Sequence, residues 1–200
     1  EQQQLPLEQQ TAIRCKTGKP IPFVELRIVD QAMQDVAHDG QAQGEIVVRT
    51  PWLTQGYLKD AAGSAELWAG GWLHTGDIAT LDAEGQVKIT DRIKDVIKTG
   101  GEWVSSLAIE NLLLQHPAIQ ECAVIGVADS KWGERPVALV VLNSKAQAIT
   151  DQQLQAHLQQ FVEQGLLSKF GVPDRFIILT ELPKTSVGKL NKRLLREQYH

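Results

Sequence analysis

The pattern of apolar residues changes character between Asp91 and Lys94, and that change restricts the chain to two units of different build. Before it, short runs of apolar and β-branched residues lie between turn signals. Residues 24–29 and 45–49 read as strands on either side of Asp39-Gly40, and 78–81 and 86–90 follow, punctuated by Gly70-Gly71 and Glu84-Gly85. This predicts a small, mostly β unit. After Gly100-Gly101 helices enter. Ser105 or Ser106 caps one running to about His116, with Leu107, Asn111 and Leu114 on its apolar stripe and Pro117 as its stop. Strands at 121–127 and 136–142 come next. Thr150 or Asp151 then caps a helix with Leu154, Leu158, Phe161 and Val162 on one face, and 175–179 is the last strand. The fold class is α+β, and the second unit, of about a hundred residues, is long enough to hold its own core.

Composition narrows the functions open to such a chain. A formal charge of -4 over 200 residues gives no global attraction for nucleic acid or an anionic membrane. No apolar run approaches the roughly 20 residues that cross a bilayer. The opening Glu1-Gln2-Gln3-Gln4 lacks both Met and the form of a signal peptide, which predicts a piece of something longer. Cys15 and Cys122 have no metal-ligand spacing and read as reduced, small hydrophobes, which fits a cytoplasmic protein. No metal site is expected in the chain.

Three segments carry chemistry. Pro183-Lys184-Thr185-Ser186-Val187-Gly188-Lys189-Leu190 presents Lys189, a compact cation suited to an anion in transit, at the end of a Pro/Gly-punctuated arm that reads as mobile. Upstream stand Asp91-Arg92-Ile93-Lys94-Asp95-Val96-Ile97-Lys98-Thr99-Gly100-Gly101-Glu102-Trp103 and Gly71-Trp72-Leu73-His74-Thr75-Gly76-Asp77. In this order and spacing they resemble the C-terminal motifs of AMP-forming acyl-CoA synthetases. These belong to the adenylate-forming enzymes, which include firefly luciferase and the adenylation domains of peptide synthetases. The wording through Val104-Ser105-Ser106 is closest to medium- and long-chain fatty-acid CoA ligases. The likeness runs from Gly18-Lys19-Pro20 through Gly44-Glu45-Ile46 and Gly56-Tyr57 to Lys189.

The resemblance implies a division of the chain. Residues 1–91 would end the large AMP-binding domain as a β-barrel-like subdomain, 92–94 would form a hinge centred on Lys94, and 95–200 would be the small C-terminal lid that rotates between two half-reactions. It also implies ATP, AMP and CoA as small-molecule partners in fatty-acid metabolism. Lys189 would bridge carboxylate and α-phosphate in forming the acyl-adenylate, and Gly188 would allow close approach. Asp77 matches the carboxylate that takes the ribose hydroxyls, Arg92 the guanidinium reaching ribose and phosphate, and Ile89 packs nearby. His74 departs from the Tyr or Arg usual before Thr-Gly-Asp and reads as structural.

Gly100, Gly101, Glu102 and Trp103 match the face that admits CoA, although a Gly-Gly pair alone equally reads as a hairpin turn. Lys98 resembles the lysine of the second half-reaction. Trp132-Gly133-Glu134-Arg135 matches another family segment, in which some relatives carry arginine at the place of Trp132. Lys184, Lys192 and Arg193 read as solvated or as supports of the loop. The phosphate-gripping loop and the glutamate that holds Mg²⁺ have no counterpart here, so Mg²⁺ and any homodimer contact are expected in the N-terminal part and the chain alone is expected to be inert. Two other readings remain: an adenylation unit loading a carrier protein, and a non-catalytic interaction module. The anion-bridging role of Lys189 also makes its acetylation an expected off-switch.

Overall fold

The computed structural model describes residues 5–144 and 149–199; the opening Glu1–Gln4 run and His200 fall outside them. Contacts divide the chain after Lys94, with the second unit beginning at Asp95.

In the first unit, α1 (Leu7–Arg14) precedes β1 (Glu25–Val29) and β2 (Gly44–Arg49); α2 (Ala61–Leu67) then leads to β3 (Leu73–Leu81) and β4 (Val87–Arg92). The strands form an antiparallel meander in the order β1-β2-β3-β4. Among the described residues β1 and β4 do not pair, so this part of the expected barrel-like subdomain is an open sheet, its β4 edge bridged by Gly18. Ile28, Ile46, Ala79, Leu81 and Val87 make its core. The Asp39-Gly40 turn forms as its sequence predicts: Asp39 Oδ1 accepts the N–H groups of Gln41 and Ala42 at 2.8 and 2.7 Å. Strand β3 starts five residues earlier than its apolar run suggests, because Leu73–Asp77 also pairs with its neighbours. The two helices escaped the reading; α2 has an Asp60 cap but buries no side chain, so it leaves no apolar stripe.

The second unit holds β5 (Ile97–Thr99), β6 (Glu102–Val104), α3 (Ser106–Leu113), β7 (Ile119–Asp129), β8 (Gly133–Leu142), α4 (Asp151–Glu163), β9 (Arg175–Leu179) and α5 (Lys192–Tyr199). Its sheet runs β6-β5-β8-β7, with β9 parallel to β8 over Val137–Val141. Pro136–Val141 is an unbroken buried run rather than an alternating one, as expected of a strand covered on both faces. Cys122, Val124, Ala138 and Val140 point to one core with Ile109, Leu113, Leu154 and Leu158. Ala123, Ile125, Val137 and Leu139 point to the other, closed by Leu182 and Leu195.

The capping of α4 follows the sequence: Thr150 and Gln153 form a reciprocal capping box. The stripe assigned to α3 does not. Leu107 and Leu114 are exposed, and the inward face is Ser106, Ile109, Glu110 and Leu113. Polar residues win those positions because other elements supply their hydrogen bonds: Val124 N–H donates to Glu110 Oε1 at 2.7 Å. Both cysteines are free, but Cys15 is exposed and only Cys122 is the buried small hydrophobe expected of the pair.

Candidate functional site

Within the first unit, register brings two of the expected nucleotide residues together. Asp77 on β3 lies opposite Arg92 at the end of β4, and Arg92 Nε stands 3.4 Å from Asp77 Oδ1. Both face solvent in part, with 29% of the Asp77 side chain and 63% of the Arg92 side chain exposed, so the pair remains open to a ligand. Ile89, half-exposed, sits two register steps along the same hairpin opposite Ala79, beyond an irregularity in the pairing.

Glu45 holds the turn before Asp77. Its Oε1 accepts the Gly76 N–H at 3.0 Å, and its Oε2 is 2.8 Å from His74 Nδ1. His74 Nε2 lies 3.2 Å from the Ala69 carbonyl. The Thr75 hydroxyl donates to the Ile46 carbonyl at 2.8 Å and accepts the Asp77 N–H at 3.2 Å. His74 is thus a structural tie, as its sequence reading holds. Glu45 is the functional-site residue that reading missed; Gly44-Glu45-Ile46 was visible as a family segment, but nothing local marks its glutamate as a partner of a strand some thirty residues away. Lys94 is exposed, in the turn that ends the unit.

In the second unit, Gly100 and Gly101 are the two central residues of the β5–β6 hairpin, with φ of 59° and 81° and Thr99 paired with Glu102. That is the backbone of a two-residue turn in which both residues need positive φ. Gly100 N–H donates to the Trp132 carbonyl at 3.1 Å. Lys98 Nζ lies 5.9 Å above the Trp103 ring, and Glu102 Oε2 accepts the Ser168 hydroxyl at 2.5 Å. The Trp132 and Phe170 rings pack with their centroids 5.4 Å apart and their planes tilted by 53°. Arg135 is committed to structure: it donates to Asp174 at 2.7 Å and to the Phe170 and Val172 carbonyls at 2.9 and 3.0 Å. Glu134 likewise accepts the Lys98 N–H at 2.8 Å.

The lysine arm is a closed turn and not a loose tether. Lys184 and Leu190 are bridged, Thr185 N–H donates to the Lys189 carbonyl at 2.6 Å, and Asn191 N–H donates to the Pro183 carbonyl at 2.8 Å. Lys189 is exposed, and its ammonium makes no ion pair among the described residues. Lys184 supports the loop through Glu121 at 3.0 Å, and Arg193 is solvated. Of the two readings given to Lys192, solvated or a support of the loop, the first fails: its side chain is 13% exposed and its ammonium pairs with Glu110 at 2.7 Å, an inward turn that only helix α5 produces.

Two cavities, one of about 490 Å³ beside Glu121, Leu182 and Lys184 and one of about 510 Å³ beside Phe23, Arg49 and Thr50, hold none of the expected nucleotide or CoA residues. Among the described residues no group of three or more His, Cys, Asp or Glu could hold a metal ion, and no helix is long and apolar enough to cross a membrane.

Residues 4–58 match the family of AMP-binding enzymes and residues 108–189 the AMP-binding enzyme C-terminal domain, and the chain belongs to that adenylate-forming family. Among particular relatives, it is 44% identical over 193 residues to a long-chain-fatty-acid–CoA ligase of Thermus thermophilus, covering 96% of this chain and 35% of that enzyme. It is 43% identical to the 3-methylmercaptopropionyl-CoA ligase of Ruegeria lacuscaerulensis, with 98% and 35% covered. The o-succinylbenzoate CoA synthetase of Bacillus subtilis, solved with its acyl-adenylate intermediate, superposes with a TM-score of 0.77 at 31% identity, over 97% of this chain and 37% of that one. The chain spans about 35% of the length of the curated relatives it matches.

Proposed function

We propose that this chain is the C-terminal part of an ATP-dependent fatty-acid CoA ligase. Its parent joins an acid and ATP to give an acyl-adenylate and pyrophosphate, then transfers the acyl group to CoA with release of AMP. The observation that carries the reading is the in-register Asp77–Arg92 pair, partly open to solvent, in a chain whose relatives are named CoA ligases.

Asp77 accepts the ribose hydroxyls, and Arg92 supplies donors to the ribose and phosphate while Ile89 packs against the nucleotide. Lys189 neutralises the two anions that must meet; its exposure and lack of an ion pair among the described residues leave it able to do so. Lys94 is the pivot between half-reactions, supported by its exposed turn at the limit of the first unit. For the second step, Gly101 leaves bare backbone beside which pantetheine can run, with Trp103 and Lys98 flanking it. Glu102 is tied to Ser168 and so steadies that edge. Mg²⁺ belongs to the part of the parent upstream of this chain. A medium- or long-chain acid, a cytoplasmic setting and a dimer contact outside this chain complete the reading.

ATP–pyrophosphate exchange by the full-length parent, over a panel of fatty and aryl acids and with CoA consumption followed, tests this. Exchange should depend on the acid and collapse in Lys189→Ala, and free CoA should be consumed. Exchange with no CoA turnover would move the assignment to carrier loading. If no acid supports exchange, the interaction-module reading takes its place.

A further inference from the structure

Lys192 lies three residues beyond Lys189, in the first turn of α5, with its ammonium withdrawn from solvent. Its Nζ is 2.7 Å from Glu110 Oε1, with 13% and 8% of the two side chains exposed, and it donates to the Ser106 hydroxyl at 2.8 Å. The same Glu110 oxygen accepts the Val124 N–H of β7. Two helices and a strand therefore converge on one carboxylate. Burying two charges is costly, and an apolar residue at 192 would cover α3 at lower cost, as the fully buried Leu195 does for the sheet. What directional hydrogen bonds add is register: they fix both the rotation of α5 about its axis and its position along it.

Arg196, one turn on and on the same side of the helix, donates to Asp95 Oδ1 at 2.9 Å. Asp95 is the first residue after Lys94. Helix α5 is thus pinned at one point to α3 and at another to the start of the unit. Only Leu190 and Asn191 separate Lys189 from the pinned Lys192, and the loop stems are bridged at Lys184 and Leu190.

We propose that Lys192 is a positioning residue for Lys189: through Glu110 and Ser106 it sets the register of α5 and hence the place from which Lys189 meets the reacting anions. This rests on the acyl-adenylate reading above. Because effective catalysis requires placement to within about an ångström, a slipped α5 harms the step that uses Lys189 and spares the step that uses the β5–β6 face.

The test uses the full-length parent carrying Lys192→Gln together with Glu110→Gln, which removes both charges and leaves groups that can still hydrogen-bond. The expected result is a folded enzyme whose exchange kcat falls about 10–100-fold at unchanged KM for ATP. Thioester formation from supplied acyl-adenylate and CoA should stay within about two-fold of wild type. Amides of the Thr185–Lys189 loop should exchange with solvent about ten-fold faster. Exchange kcat within about two-fold of wild type overturns the proposal, as does a parallel loss in both half-reactions, which marks a merely structural role. If the double variant does not fold, Ser106→Ala removes one partner of Lys192; an unchanged exchange kcat in that variant overturns the proposal. If wild type itself shows no acid-dependent exchange, the acyl-adenylate reading is what has failed. Loop-amide exchange then decides the anchoring alone, unchanged protection counting against it.

Discussion

Replacing each glycine of the β5–β6 turn by alanine separates backbone strain from packing at one site. Gly101 has φ of 81° and nothing within 4 Å of where a Cβ would stand, so Gly101→Ala carries only the cost of a left-handed alanine, about 1–2 kcal/mol. Gly100 has φ of 59° and its Cβ would meet three ring carbons of Phe170 at 2.9, 3.0 and 3.1 Å. That ring cannot swing freely, since it packs against the Trp132 ring and the Phe170 carbonyl is held by Arg135. Gly100→Ala therefore adds an overpacking cost of about 1–3 kcal/mol to the same backbone cost, giving about 2–5 kcal/mol. In a unit of about a hundred residues each kcal/mol moves Tm by about 4–8 °C, so the two variants should differ by several degrees or more. Urea and thermal unfolding, followed by circular dichroism, measure both. Equal losses for the two variants would refute the assignment of Gly100 as the packed glycine and Gly101 as the open one. In the parent, Gly101→Ala should slow thioester formation more than adenylation, while the effect of Gly100→Ala should follow the folded fraction.

Burial pushes the Cys122 thiol up to about 12, with Glu110 adding to the effect, whereas Cys15 is exposed; a thiol reagent at pH 8 should label one cysteine in native protein and two after denaturation. Two labelled native thiols would contradict the packing of β7. Burial and the neighbouring His157 hold His116 below its ordinary 6.5, so the unfolded chain binds this proton first. The stability His116 contributes is full above that value and lost as pH falls below it; urea midpoints between pH 5 and 8 should drop toward acid, and should drop less in His116→Gln. An unchanged slope in that variant removes His116 from the account. Glu45→Ala strands the Gly76 N–H and unties His74, a loss of about 1–3 kcal/mol by denaturant unfolding. The same variant of the parent should raise KM for ATP through Asp77, and an unaltered KM would deny Glu45 that part.

Local chemistry determined much of this protein. Residues 175–179 form the strand their apolar run predicts, Thr150 with Gln153 caps α4, and Asp39-Gly40 turns the chain, because each depends on neighbours a few residues away. The motifs around Asp77, Arg92 and Lys189 were also legible, since they are contiguous words; so was the Gly-Gly turn. The pairings that give those words a site were not. Glu110 and Lys192 look like surface charges on any helical pattern, and Leu107 and Leu114 look like its core, until β7 and α5 bring partners to the polar face. Glu45 became the anchor of the Asp77 turn only when β2 met β3. Periodicity records which residues avoid water, but a buried charge is tolerated only where a distant group neutralises it, and the tertiary structure alone decides which group that is.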